Sequence, residues 1–149
     1  MVMLKTSVRV VEILLIEDNP GDVRLTQECL SKSKVANRLN VVEDGEQAFL
    51  FLRKEGKFSN APRPDLILLD LNIPKKDGRE LLVMLKNNEN LKRVPVIILT
   101  SSDSEADVKN SYNLHANCFI TKPIIFEDFI RVINMIEDFW LTVVTLPER

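Results

Sequence analysis

One histidine and two cysteines are all the imidazole and thiol metal donors in this 149-residue chain. A His-rich metal centre, a four-cysteine zinc site and a disulfide framework each need more of these residues than are present. A strong excess of either charge is missing too, since 20 Lys and Arg stand against 22 Asp and Glu, a formal net charge of −2. No bulk positive field therefore draws the chain to nucleic acid or to an anionic membrane surface. No apolar run approaches the roughly 18 residues that a membrane span requires. The first apolar stretch, residues 11–16, follows Lys5 and Arg9 but contains Glu12 and runs into Glu17-Asp18. With no small-residue cleavage site after it, this is a poor secretion signal. Cys29 and Cys118 read as plain buried thiols, and a reducing cytoplasm is the expected compartment. Any chemistry falls to carboxylates, hydroxyls and lysines.

What is present is the material of one domain, with 45% apolar and 28% charged residues and enough length to bury a sizeable core. Five short apolar runs, at 11–16, 39–42, 66–69, 94–99 and 118–120, start roughly 22 to 30 residues apart, the length of a βαβ unit. Several are unbroken aliphatic runs, as in strands covered on both faces. The stretches between them have helical period. The first carries Val23, Leu25, Cys29 and Leu30 after the start signals Pro20 and Asp22, and the second carries Ala48, Phe49 and Leu52 after Asp44-Gly45. The third carries Leu81, Leu82 and Leu85, and the fourth opens at Ser104 with Asp107 at capping-box spacing. The last sets Phe126, Phe129, Ile130, Ile133, Ile136 and Trp140 on one face. Strand and helix alternating five times predict an α/β fold, a doubly wound five-stranded parallel sheet. Residues 55–64, with Gly56, Pro62 and Pro64, read as an exposed insertion.

Glu17 and Asp18 end the first strand and Asp70 ends the third. In an open parallel sheet, ligands sit at the carboxyl ends of strands where the strand order reverses. Two unit charges 4 Å apart repel by about 4 kcal/mol at an effective dielectric of 20, so three converging acids need protonation or a cation. A hard divalent ion fits, and magnesium best, because it uses one or two carboxylates and keeps room for a phosphate oxygen. One acid after a strand is explained as a helix cap; three acids at two strand ends are not. Thr100 ends the fourth strand and Lys122, followed by Pro123, ends the fifth. Either alone would be ordinary surface. Together the set reads as a phosphoryl acceptor, with Asp70 as nucleophile, a metal offsetting charge, and Lys122 and Thr100 on the remaining oxygens.

The elements Glu17-Asp18, Asp70…Pro74…Asp77-Gly78, Thr100-Ser101 and Lys122-Pro123 resemble the receiver domain of two-component response regulators, over nearly the whole chain. The resemblance implies a flavodoxin-like (βα)5 fold over residues 8–138, with Asp70 as phosphoacceptor and Glu17 and Asp18 organising Mg2+. It also implies a metal contact from the backbone carbonyl of Asn72, Thr100 and Phe119 as switch residues, and a cis Lys122-Pro123 bond positioning the lysine. The first acid is Glu where many members have Asp, and Phe119 stands where Tyr is frequent. Residues 56–65, 71–80 and 139–147 look like the small regulators paired with cyanobacterial bacteriophytochromes, which implies a phytochrome-type sensor histidine kinase as donor.

Residues 139–149 form an apolar tail, too short for a DNA-binding or enzymatic output domain, so output is expected through this domain's own surfaces. The tail either folds back on its parent domain or forms an interface, and the resemblance favours a homodimer. His115, just before the fifth strand, reads as a loop or helix-end residue, the phosphodonor histidine lying on the kinase. Three other functions compete. An aspartyl-phosphate phosphatase would want an acid two residues after the nucleophile, where Asn72 stands. A nucleotide-binding module would want a glycine- or hydroxyl-rich loop after the first strand, where Glu17-Asp18-Asn19-Pro20 stands. A receiver-like module could act by protein binding without phosphorylation.

Overall fold

The computed structural model describes residues 9–102 and 104–148. Val8 and Arg149, the outer limits of the expected receiver and tail, lie outside them, as does Lys5. The elements are β1 (Val11–Ile16), α1 (Pro20–Ser31), β2 (Asn37–Val42), α2 (Gly45–Arg53), β3 (Leu66–Leu69), α3 (Gly78–Asn87), β4 (Val96–Thr100), α4 (Glu105–Asn113), β5 (Cys118–Thr121) and α5 (Phe126–Ile136). A 3-10 turn, Gly56–Phe58, follows α2, and a π-helical segment, Glu137–Val143, extends α5. All strand pairs are parallel, in the order β2-β1-β3-β4-β5. The predicted doubly wound architecture is the observed one.

Alternate residues of the central strands feed two cores, because successive side chains of a strand point to opposite faces. Leu14, Ile16, Ile67, Leu69, Val96 and Ile98 pack with Ala48, Phe51 and Leu52 of α2 and with Leu81, Leu82 and Leu85 of α3. Ile13, Leu15, Leu66, Leu68, Ile97 and Leu99 pack with Leu30 of α1 and with Phe129, Ile133 and Ile136 of α5. Full burial on both faces explains why β1 and β3 read as unbroken aliphatic runs.

Several expectations are corrected in detail. Phe126 of α5 is exposed and Ile130 only half-buried, because the face that α5 turns to the second core runs through Phe129, Ile133 and Ile136. Cys29 and Cys118 are free thiols but half-buried, since α1 and β5 lie at the margin of the second core. The insertion at 55–64 is not wholly exposed. Phe58 packs on Phe51 with ring centroids 5.4 Å apart, and Pro64 is buried. His115 is exposed, at φ 69° in the turn between α4 and β5, a left-handed position that His adopts more readily than most residues.

Candidate functional site

The strand order reverses between β1 and β3, so a crevice opens at their carboxyl ends. Ile16 pairs with Leu69, which sets Glu17 and Asp70 side by side one residue further on. The Asp70 amide donates to the Ile16 carbonyl at 3.1 Å and the Glu17 amide to the Val42 carbonyl at 3.0 Å, so both acids are held by extensions of the ladder. Thr100 and Thr121 pair at the ends of β4 and β5, and the Lys122 amide donates to the Thr100 carbonyl at 2.7 Å. Two glycines let the surrounding loops close in. A Cβ on Gly78 would fall 2.8 Å from Leu71 Cα, and one on Gly45 would fall 2.0 Å from the Lys76 carbonyl oxygen. The Gly45 amide also donates to the Pro74 carbonyl at 3.2 Å, fixing the loop after β3 against the start of α2.

Asp70 is buried and both its oxygens are engaged. Oδ1 accepts from Thr100 Oγ1 at 2.7 Å and from the Asn72 amide at 3.0 Å, while Oδ2 accepts from Lys122 Nζ at 3.0 Å. Burial by itself would raise the Asp70 carboxyl. The Asn72 amide, Thr100 hydroxyl and Lys122 ammonium outweigh it and hold the group below the usual carboxylate range. Glu17 differs. It shares Lys122 in a short contact and accepts from the Asn19 amide at 3.2 Å, yet burial, reinforced by the Asp70 charge, pushes it up to about 7. Burial opposes the charge on Lys122 as well, but Glu17, Asp22 and Asp70 together raise its pKa.

Carboxylate oxygens of Glu17, Asp18 and Asp70 all lie within 4.8 Å of one another, with Asp18 exposed and the other two buried. This hard-oxygen set, open to water on the Asp18 side, suits a divalent cation that retains part of its hydration. Glu17, Asp18, Asp70, Thr100 and Lys122 are thus brought to one spot. The Asn72 amide binds Asp70, and its side-chain Nδ2 donates to Thr100 Oγ1 at 3.4 Å. Phe119 sits half-buried on β5 against the first core, its amide donating to the Tyr112 hydroxyl at 3.2 Å. Lys122-Pro123 departs from expectation, because no peptide bond among the described residues is cis. The lysine is positioned instead by its β4 hydrogen bond and its three carboxylates.

Two neighbours escape the sequence reading. Asp22 Oδ2 accepts from Lys122 Nζ at 2.9 Å, and Asn19 both caps α1 and binds Glu17. An acid one helical turn beyond the Glu17-Asp18 doublet was the available signal for Asp22, masked by its fitness as a helix-start residue. A second network lies beside the site, where Arg79 of α3 contacts both Asp77 and Asp107 of α4, and the Ser102 hydroxyl donates to Asp107.

Comparison with known proteins agrees with this geometry. The family model described as "Response regulator receiver domain" matches residues 13–134. Response regulator Rcp1 of Synechocystis sp. is 51% identical over 135 residues, covering 91% of this chain and 92% of that protein. The crystal structure of the Mn2+-bound form of Rcp1 superposes with a TM-score of 0.91 at 50% identity, over 93% of this chain and 99% of the other. The phosphorylated cyanobacterial phytochrome response regulator RcpA gives a TM-score of 0.91 at 48% identity, over 94% of this chain and all of the other.

Proposed function

The chain belongs to the response regulator receiver family and is related to the phytochrome response regulators, and on that premise we propose that Asp70 accepts a phosphoryl group from a sensor histidine kinase in a magnesium-dependent step. The observation that carries this reading is the convergence of Lys122, Thr100 and the Glu17–Asp18–Asp70 acids at one buried carboxylate held ionised. An Asp70 oxygen attacks phosphorus, the P–N bond of the kinase phosphohistidine breaks, and the leaving imidazole keeps the electron pair and takes a proton from water. Mg2+ held by Glu17, Asp18, Asp70 and the Asn72 carbonyl would offset charge on the phosphoryl oxygens. Lys122 and the Thr100 hydroxyl, now bound to Asp70, turn to those oxygens once Asp70 is phosphorylated. That movement draws the Thr100 and Phe119 region with it and changes the surface offered to partners.

The apolar loop after Lys122-Pro123 supports a kinase docking beside the site, since Ile124, Ile125 and Phe126 are exposed there. The phosphatase alternative has less behind it, because Asn72 offers an amide, already committed to Thr100, where an acid would be needed. We assign the protein to the cytoplasm, the kinase to the phytochrome type, and residues 139–149 to a dimer contact of the receiver. Among the described residues no helix is long and apolar enough to cross a membrane.

Incubation with acetyl phosphate and Mg2+ tests the assignment. Wild-type protein gains one hydroxylamine-labile phosphoryl group, and Asp70→Asn gains none; label surviving that substitution overturns the reading. Phosphotransfer profiling against the source organism's histidine kinases tests the light connection, which fails if a phytochrome-type kinase is no faster than the others.

A further inference from the structure

Four cations gather near the pole of the sheet opposite Asp70. Arg53 and Lys54 lie at the end of α2, Arg63 just before β3, and Arg93 just before β4, all at the amino ends of the strands. Together they line an open cleft of about 690 Å³, where the only carboxylate in the lining is Glu55. Among the described residues none of these four cations has a carboxylate partner in an ion pair. Arg53 is accounted for locally, since it complements the carboxyl end of α2 and lies 5.1 Å from the Phe49 ring centroid. Lys54, the C-cap of α2, shares the first of these roles, and Arg93 has neither. Arg63 is held in place by the Asn90 carbonyl, which accepts from Nε at 3.1 Å and Nη2 at 2.9 Å, leaving the remaining guanidinium edge unbonded.

Four cations face one cleft with a single carboxylate in its lining, in a protein of net charge −2, and an anion among them would gain from all four. Guanidinium forks match phosphate oxygens in pairs, and a cleft between about 300 and 1,000 Å³ has the size of a small-ligand site. Leu52 and Leu91 give it an apolar floor, and the insertion that the phosphoacceptor chemistry leaves unused supplies one wall through Arg63. We propose that this cleft binds a small phosphate-rich molecule of nucleotide size, with Arg63 and Arg93 on its phosphates and its apolar part on Leu52 and Leu91.

Calorimetric titration in EDTA keeps divalent ions, and with them the acidic pole, out of the measurement. ATP and pyrophosphate are expected to bind, adenosine not to, with ATP at least as tight as pyrophosphate. Affinity should fall by about tenfold or more in Arg63→Gln/Arg93→Gln and as salt rises from about 50 to about 300 mM. Arg93→Gln alone removes no bond seen in the structure, and it should itself bind ATP several-fold more weakly with the melting temperature of the wild type, which guards against misfolding as the cause. Three results overturn the proposal: no binding by the wild type, binding unchanged in the double variant, or tighter binding of a poly-glutamate peptide than of ATP.

Discussion

Asp70 and Glu17 stand one residue past paired strands and share one ammonium, yet burial acts on them with opposite results. Asp70 gains the Thr100 hydroxyl and the Asn72 amide as well as Lys122 and stays ionised. Glu17 has fewer donors and faces the Asp70 charge, which leaves it at about 7. A proton and a divalent cation therefore compete for Glu17 near neutrality. Below that value the carboxyl is protonated and lost as a ligand, so Mn2+ or Mg2+ affinity should be about tenfold weaker at pH 6 than at pH 8. Glu17→Gln should bind the ion weakly and with a flat profile over that range, and calorimetry at the two pH values decides it. In metal-free protein the sign for stability follows from the same shift. Glu17 is raised from 4.5, so the folded state holds the proton more tightly, and stability falls as pH climbs from 4.5 through about 7. Thr100→Val probes the other acid. It removes a donor from a buried carboxylate and should cost about 2 kcal/mol in urea unfolding, while raising the Asp70 pKa.

The loop from Asp70 to Gly78 delivers the acceptor, and its shape depends on α2 as much as on β3. Gly45 opens α2 under the Lys76 carbonyl, and Asp44 caps the helix while Lys75, at φ 68°, reaches the Asp44 carboxylate at 3.5 Å. Gly45→Ala places a methyl where a backbone oxygen already is, so the loop must move. A loss of about 1–3 kcal/mol in urea unfolding, the usual cost of overpacking, should come with weaker cation binding, because Asn72 travels with the loop. Unchanged cation affinity would separate the loop from the site. At this scale much was legible in the sequence. β3 occupies the residues its aliphatic run predicts, and Ser104 caps α4 by accepting from the Asp107 amide as its spacing requires. The misses have local causes. β2 begins at Asn37 rather than Leu39 because an edge strand tolerates polar side chains, two of which, Arg38 and Asn40, bind Glu12. Phe51 was hidden inside the unbroken run Phe49-Leu50-Phe51-Leu52, and it lies in the first core with Phe58 of the insertion packed against it.

The whole molecule gathers an acidic cluster at the carboxyl ends of its strands and a cluster of cations at the amino ends, and α5 with its extension exposes several apolar side chains. Of the two readings of the tail, folding back on the parent domain is the one observed. The π-helical segment continues α5, with Trp140, Leu141 and Leu146 against the second core, and Arg9 ties the far end by donating to the Pro147 carbonyl at 3.0 Å. Folding back nevertheless leaves Met135, Phe139 and Val143 at 60%, 52% and 69% exposure on this one continuous stretch. Isolated apolar side chains need no partner, but three along α5 and its extension form the kind of strip that a two-fold contact buries against itself. Because the strip is held in place by Arg9 and the core, little ordering cost remains to be met on association. Sedimentation should accordingly find wild-type protein dimeric at about micromolar concentration and Phe139→Ser/Val143→Ser monomeric, with Mg2+-dependent labelling of Asp70 intact in both. Trp140, the chain's single tryptophan, lies edge-on to Phe139 at 5.8 Å. Its emission should shift to the red as the wild type is diluted and stay constant in the double variant. A wild type that remains monomeric when concentrated assigns the strip to a different protein, and its phosphorylated form would then be the bait to use.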